Sequence, residues 1–482
     1  MAHVVVVGAG PVGLVTAMLL AADGQRVTLV DADGAALREE TAVAASETGE
    51  ARDINGWKRP GVRQYGQPHI IMPGGMRLLE HELPTAVDAV RVVGGCPFNG
   101  ISGAWGVGAV GPEEPGDARF ETLMLRRSLL EAALLATARR AEGITLRRSR
   151  VTGLVTGSAG TQKPPRITGV RTDDGTLEAD LVVDAAGRDT RLPTLLGETG
   201  AAYEEPPGNT GFRYYSRFFR SADGSWPAPR RGLLTHHNSV SIITMPADRG
   251  IWSVTFVTSG RDQTLRALAD GDAWDRAAAQ YPEVAGWLAG EPLNGVVAMG
   301  GMGSRRRVLQ RDGVPLVTGL VPVGDAWATT NPSFGMGMTM GFRQAVLVRD
   351  QLRKTGTADP AELILSYDRA TEETLMPLWN DAVSWDRHRL AEIDEEIRGR
   401  TYTTDDPDWN LRNALDAVCL EDPALLRAVA DVGFLLRTAE EALAGPGLLE
   451  RAAELGAGVP RYVEPGPDRA GLLGALRVAE GE

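Results

Sequence analysis

Three closely spaced glycines near the N-terminus have the spacing of a phosphate-binding turn. They lie in GAGPVG, residues 8–13, between an apolar strand pattern and a helical pattern. In such a turn the first glycine permits a tight bend, the second lets the backbone approach a pyrophosphate, and the third allows the helix to pack closely on the strand. An aspartate at the end of the next strand can accept hydrogen bonds from an adenosine ribose. The predicted dinucleotide contacts are Gly8, Gly10, Pro11, Val12, Gly13 and Asp31.

A second glycine-rich segment, about 300 residues downstream, indicates which dinucleotide is bound. GLVPVGDAW places an aspartate after a strand pattern, and NPSFGMG then begins a helix. A nicotinamide-binding domain needs no such element, whereas a flavin site uses an aspartate to hold the ribityl chain and helix N–H groups to face the electron-rich edge of the ring. A glycine-rich loop that only caps a helix would explain this segment alone, but not its pairing with the first turn. The predicted FAD contacts here are Gly324, Asp325, Pro332, Gly335 and Gly337.

The elements around these motifs predict a layered α/β (α+β) fold. HVVVVG, a helical run ending at Gly24 and QRVTLVDAD form a βαβ unit, which implies a parallel sheet. Aromatic and β-branched residues alternate in GFRYYSRFF, NSVSIITMP and IWSVTFVTS, as expected of an antiparallel sheet. We therefore predict a Rossmann-like FAD-binding lobe, interrupted by an antiparallel-sheet substrate lobe and followed by a helical region. The predicted domains are residues 1–170 and 305–355 for FAD, with about 171–199 returning to it, 200–304 for substrate and 356–482 for the helical region.

Composition restricts the class of protein and partner. The 482 residues carry a formal charge of −13, and the sequence pI is about 5.2, so no electrostatic reason exists to expect binding to nucleic acid. Cys96 and Cys419 are the only cysteines, and neither they nor the six histidines have metal-ligand spacing. No apolar run approaches the ~20 residues of a membrane helix, and the N-terminus lacks a signal-peptide pattern. We expect a cytoplasmic protein without a metal site or a transmembrane segment.

Together, four segments resemble the FAD-dependent monooxygenases of the para-hydroxybenzoate hydroxylase fold. They are GAGPVG, RPGVRQYG, MLRRSLLEA, and VGDAW followed by NPSFGMG. The resemblance implies an FAD lobe of the glutathione-reductase type, with Arg59 on the FAD pyrophosphate and Arg127 also reaching the cofactor. It further implies that one oxygen atom passes from molecular oxygen, through a flavin hydroperoxide, into a hydrophobic small molecule by epoxidation or hydroxylation. The alternative is that Arg59 and Arg127 are ordinary surface arginines with no role in cofactor binding.

The segment LVVDAAGRDTR departs from this family's pattern and bears on the electron donor. NADPH-using hydroxylases carry an acidic residue and a serine where this sequence has Ala186 and Thr190. The segment is similar to that of bacterial epoxidases that take reduced flavin from a separate reductase. The resemblance therefore implies a flavin reductase partner, with direct reduction by NAD(P)H as the alternative, and a role in bacterial natural-product biosynthesis. It also adds Gly187 to the expected FAD contacts.

Flavin halogenases share the fold that this resemblance implies. Their WxWxIP motif and catalytic lysine have no counterpart in this sequence, in which Lys58, Lys163 and Lys354 are the only lysines. The sequence therefore argues against halogenation.

The sequence is less informative about the substrate. Phe212, Tyr214 and Ser216 must share one face of their strand, with Tyr215 and Arg217 on the other, and the pattern does not say which face meets the cofactor. Candidate substrate contacts are Tyr215, Arg217 and Phe334, and no side chain is identified as a catalytic acid or base. The charged run over residues 370–399 predicts a solvated helix face.

Two alternative functions stay open. The same FAD motifs serve flavin-dependent reductases or dehydrogenases of polyprenyl-like substrates, which consume no oxygen. A non-catalytic protein of this fold, comparable to the GDP-dissociation inhibitors, would bind a protein partner or a lipid. The first alternative predicts hydride transfer, and the second predicts a colourless protein.

Overall fold

The computed structural model describes residues 1–33, 59, 61–157, 164–205, 211–228, 232–456 and 459–476. The strands of these residues are β1 (His3–Val7), β2 (Arg26–Asp31), β3 (Cys96–Asn99), β4 (Glu121–Met124), β5 (Ile144–Arg148), β6 (Val151–Thr156), β7 (Ile167–Thr172), β8 (Gly175–Glu178), β9 (Leu181–Asp184), β10 (Phe212–Arg220), β11 (Leu234–His236), β12 (Val240–Pro246), β13 (Ile251–Ser259), β14 (Glu291–Pro292), β15 (Val297–Met299), β16 (Arg305–Arg306), β17 (Gln310–Arg311), β18 (Val314–Pro315), β19 (Leu320–Pro322) and β20 (Ala328–Thr329).

The α-helices lie between these strands and dominate the C-terminal part. They are α1 (Pro11–Ala22), α2 (Pro73–Glu82), α3 (Pro84–Val92), α4 (Arg127–Arg140), α5 (Leu192–Gly197), α6 (Gly271–Ala278), α7 (Gly337–Thr355), α8 (Pro360–Thr374), α9 (Met376–Ile397), α10 (Pro407–Val418), α11 (Pro423–Gly433), α12 (Ala439–Leu443), α13 (Leu448–Gly456) and α14 (Arg469–Leu476).

A five-stranded parallel sheet forms the centre of the first lobe. Its strand order is β19-β9-β1-β2-β5, so a strand from after residue 319 lies in the same sheet as the N-terminal βαβ unit. The β-branched run of β1 is buried, as expected for a parallel strand covered on both faces. Helix α1 packs against both α4 and α7. The sheet thereby brings the two glycine-rich segments to its carboxyl edge, where ligands of open α/β sheets bind.

A six-stranded antiparallel sheet forms the second lobe. The order is β11-β12-β13-β10-β14, and β15 also pairs with β10. One face contributes Phe212 and Tyr214 to the core that it shares with the first lobe. The other face contributes Tyr215 and Phe219 to a second core, under α6 and α14. The mixed α/β architecture that the sequence predicted, with a parallel sheet in the first lobe and an antiparallel sheet in the second, is confirmed.

The C-terminal helices carry more buried charge than the sequence predicted. Within the charged run over residues 370–399, the side chains of Asp386, Arg389 and Glu392 are buried. Arg389 donates to the backbone oxygens of His237 and Val240, at 2.6 and 2.9 Å, and so joins α9 to the sheet lobe. The prediction of a merely solvated face was wrong for these residues, because each charge has a partner inside the protein. Within the described residues, no helix combines the length and apolar character needed to cross a bilayer.

Candidate functional site

A cavity of about 580 Å³ lies where the two glycine-rich segments meet the antiparallel sheet. Most of the residues predicted to bind FAD line its wall, although they come from six separate parts of the sequence. These wall residues are Gly8, Gly10, Pro11, Val12, Asp31, Arg59, Arg127, Gly187, Asp325, Pro332, Gly335 and Gly337. The two remaining predicted FAD contacts, Gly13 and Gly324, do not line the cavity but pack against residues that do, Gly8 and Val12.

The first glycine turn has one open position and two closely packed ones. Gly8 has φ +107°, and a Cβ there would lie 2.5 Å from the backbone oxygen of Ala185. A Cβ on Gly13 would lie 1.9 Å from the backbone oxygen of Gly8, so helix α1 can approach the turn only without a side chain. A Cβ on Gly10, by contrast, would meet no heavy atom within 4 Å. Gly10 therefore leaves room for a ligand.

Helix α1 begins at this open position. Gly10 is its N-cap, Pro11 is its first residue, and the first turn contains no acidic side chain. The first N–H groups of a helix lack intrahelical acceptors and carry the positive end of the helix dipole. A pyrophosphate placed beside Gly10 would satisfy them. The open position and the free N–H groups fit a dinucleotide.

Asp31 and Arg59 belong to a cluster of paired charges in the cavity wall beside the first glycine turn. Arg59 is 6% exposed and contacts Asp31 and Asp33 at 3.1 Å each and Glu131 at 2.6 Å. The backbone N–H of Ala9 donates to Asp31 at 2.6 Å. Since three carboxylates surround Arg59, its charge is already compensated, and it fixes the turn as well as lining the cavity. Sequence reasoning missed Glu131, although it lies in the quoted segment MLRRSLLEA.

Arg127 is held by two partners, one of which the sequence analysis had set aside. Its Nε lies 2.6 Å from Glu131, and its Nη1 donates to Nε2 of His69 at 3.1 Å. Burial and the nearby Arg127 charge lower the pKa of His69 to about 3, so this imidazole is neutral and accepts the hydrogen bond. His69 lines the cavity and positions Arg127.

The second glycine-rich segment contacts the first directly. A Cβ on Gly324 would lie 3.3 Å from the side chain of Val12, so the turn after β19 packs on the first turn of α1. Asp325 follows and lines the cavity beside the N-terminus of α7, where a Cβ on Gly337 would lie 3.5 Å from Asp325 Oδ1. Burial raises the pKa of Asp325, and the positive charge of Arg188 opposes that rise. The arrangement places an acceptor next to helix N–H groups, as a ribityl chain and flavin ring require.

The first of the two carboxylates in LVVDAAGRDTR, that of Asp184, is used inside the protein. Asp184 is 1% exposed and accepts hydrogen bonds from Thr190 Oγ1 at 2.9 and 3.0 Å and from the backbone N–H of Ala186 at 3.1 Å. Burial raises its pKa to about 6, against the effect of these hydrogen bonds. Asp184 therefore shapes the loop, while Gly187 and Arg188 line the cavity.

A buried polar network fixes the loop that carries Pro332 to Gly337. Tyr214 donates to Asn331, whose amide donates to Asp386 on α9 at 2.7 Å. Ser304 also donates to Asp386, at 3.2 Å, and the loss of solvation raises the pKa of Asp386 to about 7. The network ties this loop to both the sheet lobe and the C-terminal helices.

The structure places the three predicted substrate contacts outside the cavity wall. Tyr215 belongs to the second core, and Arg217 pairs with Asp275 on that same side of the sheet. Phe334 packs edge-on against Trp385, with the ring centroids 5.0 Å apart. These placements correct the sequence expectation: it is the opposite face of β10, carrying Tyr214 and Ser216, that turns toward the first lobe.

The wall opposite the glycine turns is formed by side chains that the sequence analysis did not select. Met245, Met299 and Met302 line the cavity from the sheet lobe, together with Gln67. Gln67 accepts a hydrogen bond from Ser216 at 2.6 Å. Methionine is flexible and polarizable, so this wall suits an apolar ligand of irregular shape. The only sequence signal was the clustering of methionines in IITMP and VVAMGGMG.

Comparison with known proteins is consistent with this geometry. Residues 1–49 match the family model described as FAD binding domain. Protein Rv3254 of Mycobacterium tuberculosis is 29% identical over 398 residues, 78% of each chain. Among solved structures, a probable FAD-dependent monooxygenase, PqsL of Pseudomonas aeruginosa, superposes with a TM-score of 0.58 at 16% identity, over 82% of this chain and 97% of that one. The flavin-dependent halogenase CmlS gives 0.60 at 17% identity, over 94% and 76%. The predicted fold of FAD-dependent monooxygenases is thus confirmed.

Proposed function

We propose that this chain, which has the fold of FAD-dependent monooxygenases and halogenases, inserts one atom of molecular oxygen into a hydrophobic small molecule by epoxidation or hydroxylation. One observation carries the proposal. A single cavity joins the open turn at Gly10, the acceptor Asp325 and an apolar wall that includes Met299 and Met302. Such a cavity suits a dinucleotide cofactor together with an apolar substrate beside it. A role in bacterial secondary metabolism belongs to the same proposal.

Each part of the wall has a distinct task when FAD is bound. Gly10 and the N-terminus of α1 would hold the pyrophosphate, and Asp325 would accept hydrogen bonds from the ribityl hydroxyls. The N-terminus of α7 at Gly337 would face the electron-rich edge of the ring. Reduced FAD supplies the activation of molecular oxygen, so the chain needs no acid or base of its own for that chemistry.

The chain's own contribution to turnover is to place the substrate and to exclude water. Met245, Met299 and Met302 present an apolar surface to the cavity, and all three are largely buried. An apolar substrate held against this wall would already lie beside the group that it reacts with, so the two need not meet by diffusion. The wall would also keep most water away from the reacting atoms. Halogenation would call for a lysine at the site, and no lysine is among the described residues that line this cavity.

We expect the purified protein to be yellow and to consume oxygen in proportion to an oxygenated product. The assay supplies ¹⁸O₂, a flavin reductase with NADH, and a panel of apolar alkenes and phenols. A product that gains one ¹⁸O atom, identified by mass spectrometry, supports the proposal. Catalase and superoxide dismutase are included to remove hydrogen peroxide and superoxide, so that neither oxidises the substrate.

The alternative functions give different results in this assay. A substrate that is reduced or dehydrogenated without oxygen uptake would identify a reductase or dehydrogenase. A colourless protein that does not take up added FAD would favour a non-catalytic binding protein and contradict the proposal.

We also propose that a separate flavin reductase supplies the electrons. The loop LVVDAAGRDTR commits the carboxylate of Asp184 to internal hydrogen bonds and that of Asp189 to an ion pair with Arg63, and Ala186 offers no side-chain acceptor to a nicotinamide nucleotide. Anaerobic stopped-flow mixing of the FAD-loaded protein with excess NADPH or NADH is expected to bleach the flavin far more slowly than a turnover rate of roughly 1 to 10 per second.

The stopped-flow comparison is made with and without substrate. Added flavin reductase should accelerate the bleaching in both cases. Bleaching at a turnover rate without any reductase would show that the chain accepts hydride directly, and the two-component proposal would then be abandoned.

A further inference from the structure

The side-chain amide of Asn331 has hydrogen-bond partners at both ends, immediately before Pro332 of the cavity wall. Its oxygen accepts from the backbone N–H of Ser333 at 2.9 Å and from the hydroxyl of Tyr214. Its nitrogen donates to Oδ1 of Asp386 at 2.7 Å. Because a backbone N–H only donates and an ionised carboxylate only accepts, the amide has one possible orientation. Asp386 therefore fixes the start of this segment of the wall.

Asp386 is a buried carboxylate on α9 without an ion pair. It is 2% exposed, and its second oxygen accepts from the hydroxyl of Ser304 at 3.2 Å. Among the described residues, no basic side chain lies within the 4.0 Å of an ion pair, and the charge of Arg412 on α10 acts on it from farther away. Burial raises the pKa of the neighbouring Tyr214 against the charge of Arg188, so this hydroxyl stays neutral. A negative charge with no cation in contact thus lies behind the cavity wall.

The hydrogen bonds of Asp386 allow two protonation states. Burial raises its pKa to about 7, while the hydrogen bonds from Asn331 and Ser304 and the charge of Arg412 oppose that rise. The ionised carboxylate accepts from both neighbours. The protonated carboxyl can still accept from Asn331 and can donate to the hydroxyl of Ser304. The amide of Asn331 is thus held in both states, and the negative charge is what changes between them.

We propose that Asp386 is a positioning residue for the bound flavin: its carboxylate holds Asn331 at the cavity wall, and its negative charge lowers the midpoint potential of the flavin. This inference rests on the proposed function, because it takes the cavity as the FAD site, but it does not depend on oxygenation. The wall segment that follows Asn331 leads to Gly337, where α7 would face the electron-rich edge of the ring. Reduced flavin carries more negative charge than oxidised flavin, so a buried carboxylate behind this segment disfavours the reduced form.

The test compares the midpoint potential of bound FAD in Asp386→Asn and in the unchanged protein, at about pH 6 and about pH 8, on either side of the pKa of Asp386. Asparagine can accept from Asn331 and donate to Ser304, so it keeps the hydrogen bonds and removes only the charge. At the higher pH we expect the potential of the variant to be about 30 mV higher, which is a tenfold change in the equilibrium of a two-electron couple. At the lower pH the difference should largely disappear, because the carboxyl of the unchanged protein is then mostly protonated.

Asp386→Ala removes the acceptor as well as the charge. The amide of Asn331 then loses its partner, so the wall segment is free to move in the apoprotein and FAD must order it on binding. We expect the affinity for FAD to fall about tenfold in this variant and to change less than about threefold in Asp386→Asn.

Asp368→Asn is the matched control. Asp368, on α8, is also a buried carboxylate whose pKa is raised by burial, and it does not line the cavity. The control should change neither the potential nor the affinity for FAD. Ser304→Ala is a second variant that leaves Asp386 and Asn331 in place. Loss of its hydrogen bond should raise the pKa of Asp386 further, so the pH at which the flavin potential responds should move upward. FAD content and thermal unfolding show whether each variant is folded.

An unchanged potential in Asp386→Asn at the higher pH would overturn the proposal. So would a difference of the same size at both pH values, which would indicate a structural change rather than the loss of a charge. Full FAD affinity in Asp386→Ala, an equal shift of potential in Asp368→Asn, or an unmoved pH response in Ser304→Ala would also overturn it. None of these measurements uses a substrate or oxygen, so the lack of an oxygenated product would contradict the proposed function alone. A protein that takes up no FAD would overturn both.

Discussion

Replacing Gly10 by alanine is expected to weaken FAD binding about tenfold while leaving the thermal unfolding of the apoprotein unchanged. The backbone of Gly10 has φ −78°, which alanine adopts freely, and the added methyl group meets no protein atom within 4 Å. The methyl group occupies the space that the pyrophosphate needs. Forcing a methyl group into a filled site costs about 1–3 kcal/mol, and the whole of that cost falls on the complex.

Gly13→Ala is the contrasting variant. Its methyl group would lie 1.9 Å from the backbone oxygen of Gly8, so α1 must move away from the turn whether or not FAD is present. We expect this variant to lower the unfolding temperature of the apoprotein and to lose FAD as well. Gly474→Ala, at an open position of α14, should leave FAD affinity unchanged and should not lower the unfolding temperature, because alanine is the better helix former.

The unfolding temperatures of the Gly10→Ala and Gly13→Ala apoproteins are measured by differential scanning calorimetry. Their affinities for FAD are measured by fluorescence titration. Equal FAD affinity in Gly10→Ala and the unchanged protein would show that the pyrophosphate lies elsewhere. A destabilised Gly10→Ala apoprotein would show that the position is not open in solution.

Asp325→Ala is expected to lose more than tenfold in flavin affinity. A carboxylate that accepts hydrogen bonds from ribityl hydroxyls contributes about 1.5–3 kcal/mol, and this variant removes it. Because burial raises the pKa of Asp325, the empty protein gains no stability from the ionised carboxylate. The apoprotein should therefore unfold at the same temperature or higher.

Asp325→Asn separates charge from shape in the same titration. It keeps an acceptor oxygen, so its FAD affinity should lie between that of the unchanged protein and that of Asp325→Ala. Unchanged FAD retention in Asp325→Ala would contradict the assignment of this residue, and an unstable apoprotein would mean that the loss reflects folding.

The sequence could predict the elements whose signals are local. The spacing of Gly8, Gly10 and Gly13 follows from the geometry of a single turn, and the βαβ pattern around it needs no distant contact. The same holds for Asp325 and the glycines that begin α7. These residues line or support one cavity in the structure.

The face of β10 that turns to the cofactor lobe could not be predicted. The alternation of side chains along a strand defines two faces of the sheet. It identifies the inner face only when the other face meets water and therefore carries polar residues. In β10 both Tyr214 and Tyr215 are buried, one in each core, and every residue of β12 and β13 is buried as well. Because both faces bury aromatic side chains, aromatic residues mark neither face as the inner one.

Buried charge was missed for a related reason. Composition treats Glu131, Asp386 and Arg389 as surface residues, because unpaired charges are rarely buried. Each of the three has a partner that is distant in the sequence: Arg59 lies 72 residues from Glu131, Asn331 lies 55 from Asp386, and Arg389 binds backbone oxygens about 150 residues away. Such pairs are set by the assembled fold and leave no local pattern.

The contact of Val12 with Gly324 and Gly341 has a consequence for the protein as it is made. A ribosome adds about 5–20 residues per second, so roughly 15–70 s pass between the emergence of Val12 and that of its partners. For about the first half of that interval the apolar β1 lacks its neighbour β9, and until its end β9 lacks β19 and α1 lacks α7. The N-terminal βαβ unit is thus synthesised early but completes its packing late. A chaperone that binds this unit should raise the yield of folded protein more than one that acts on the C-terminal helices.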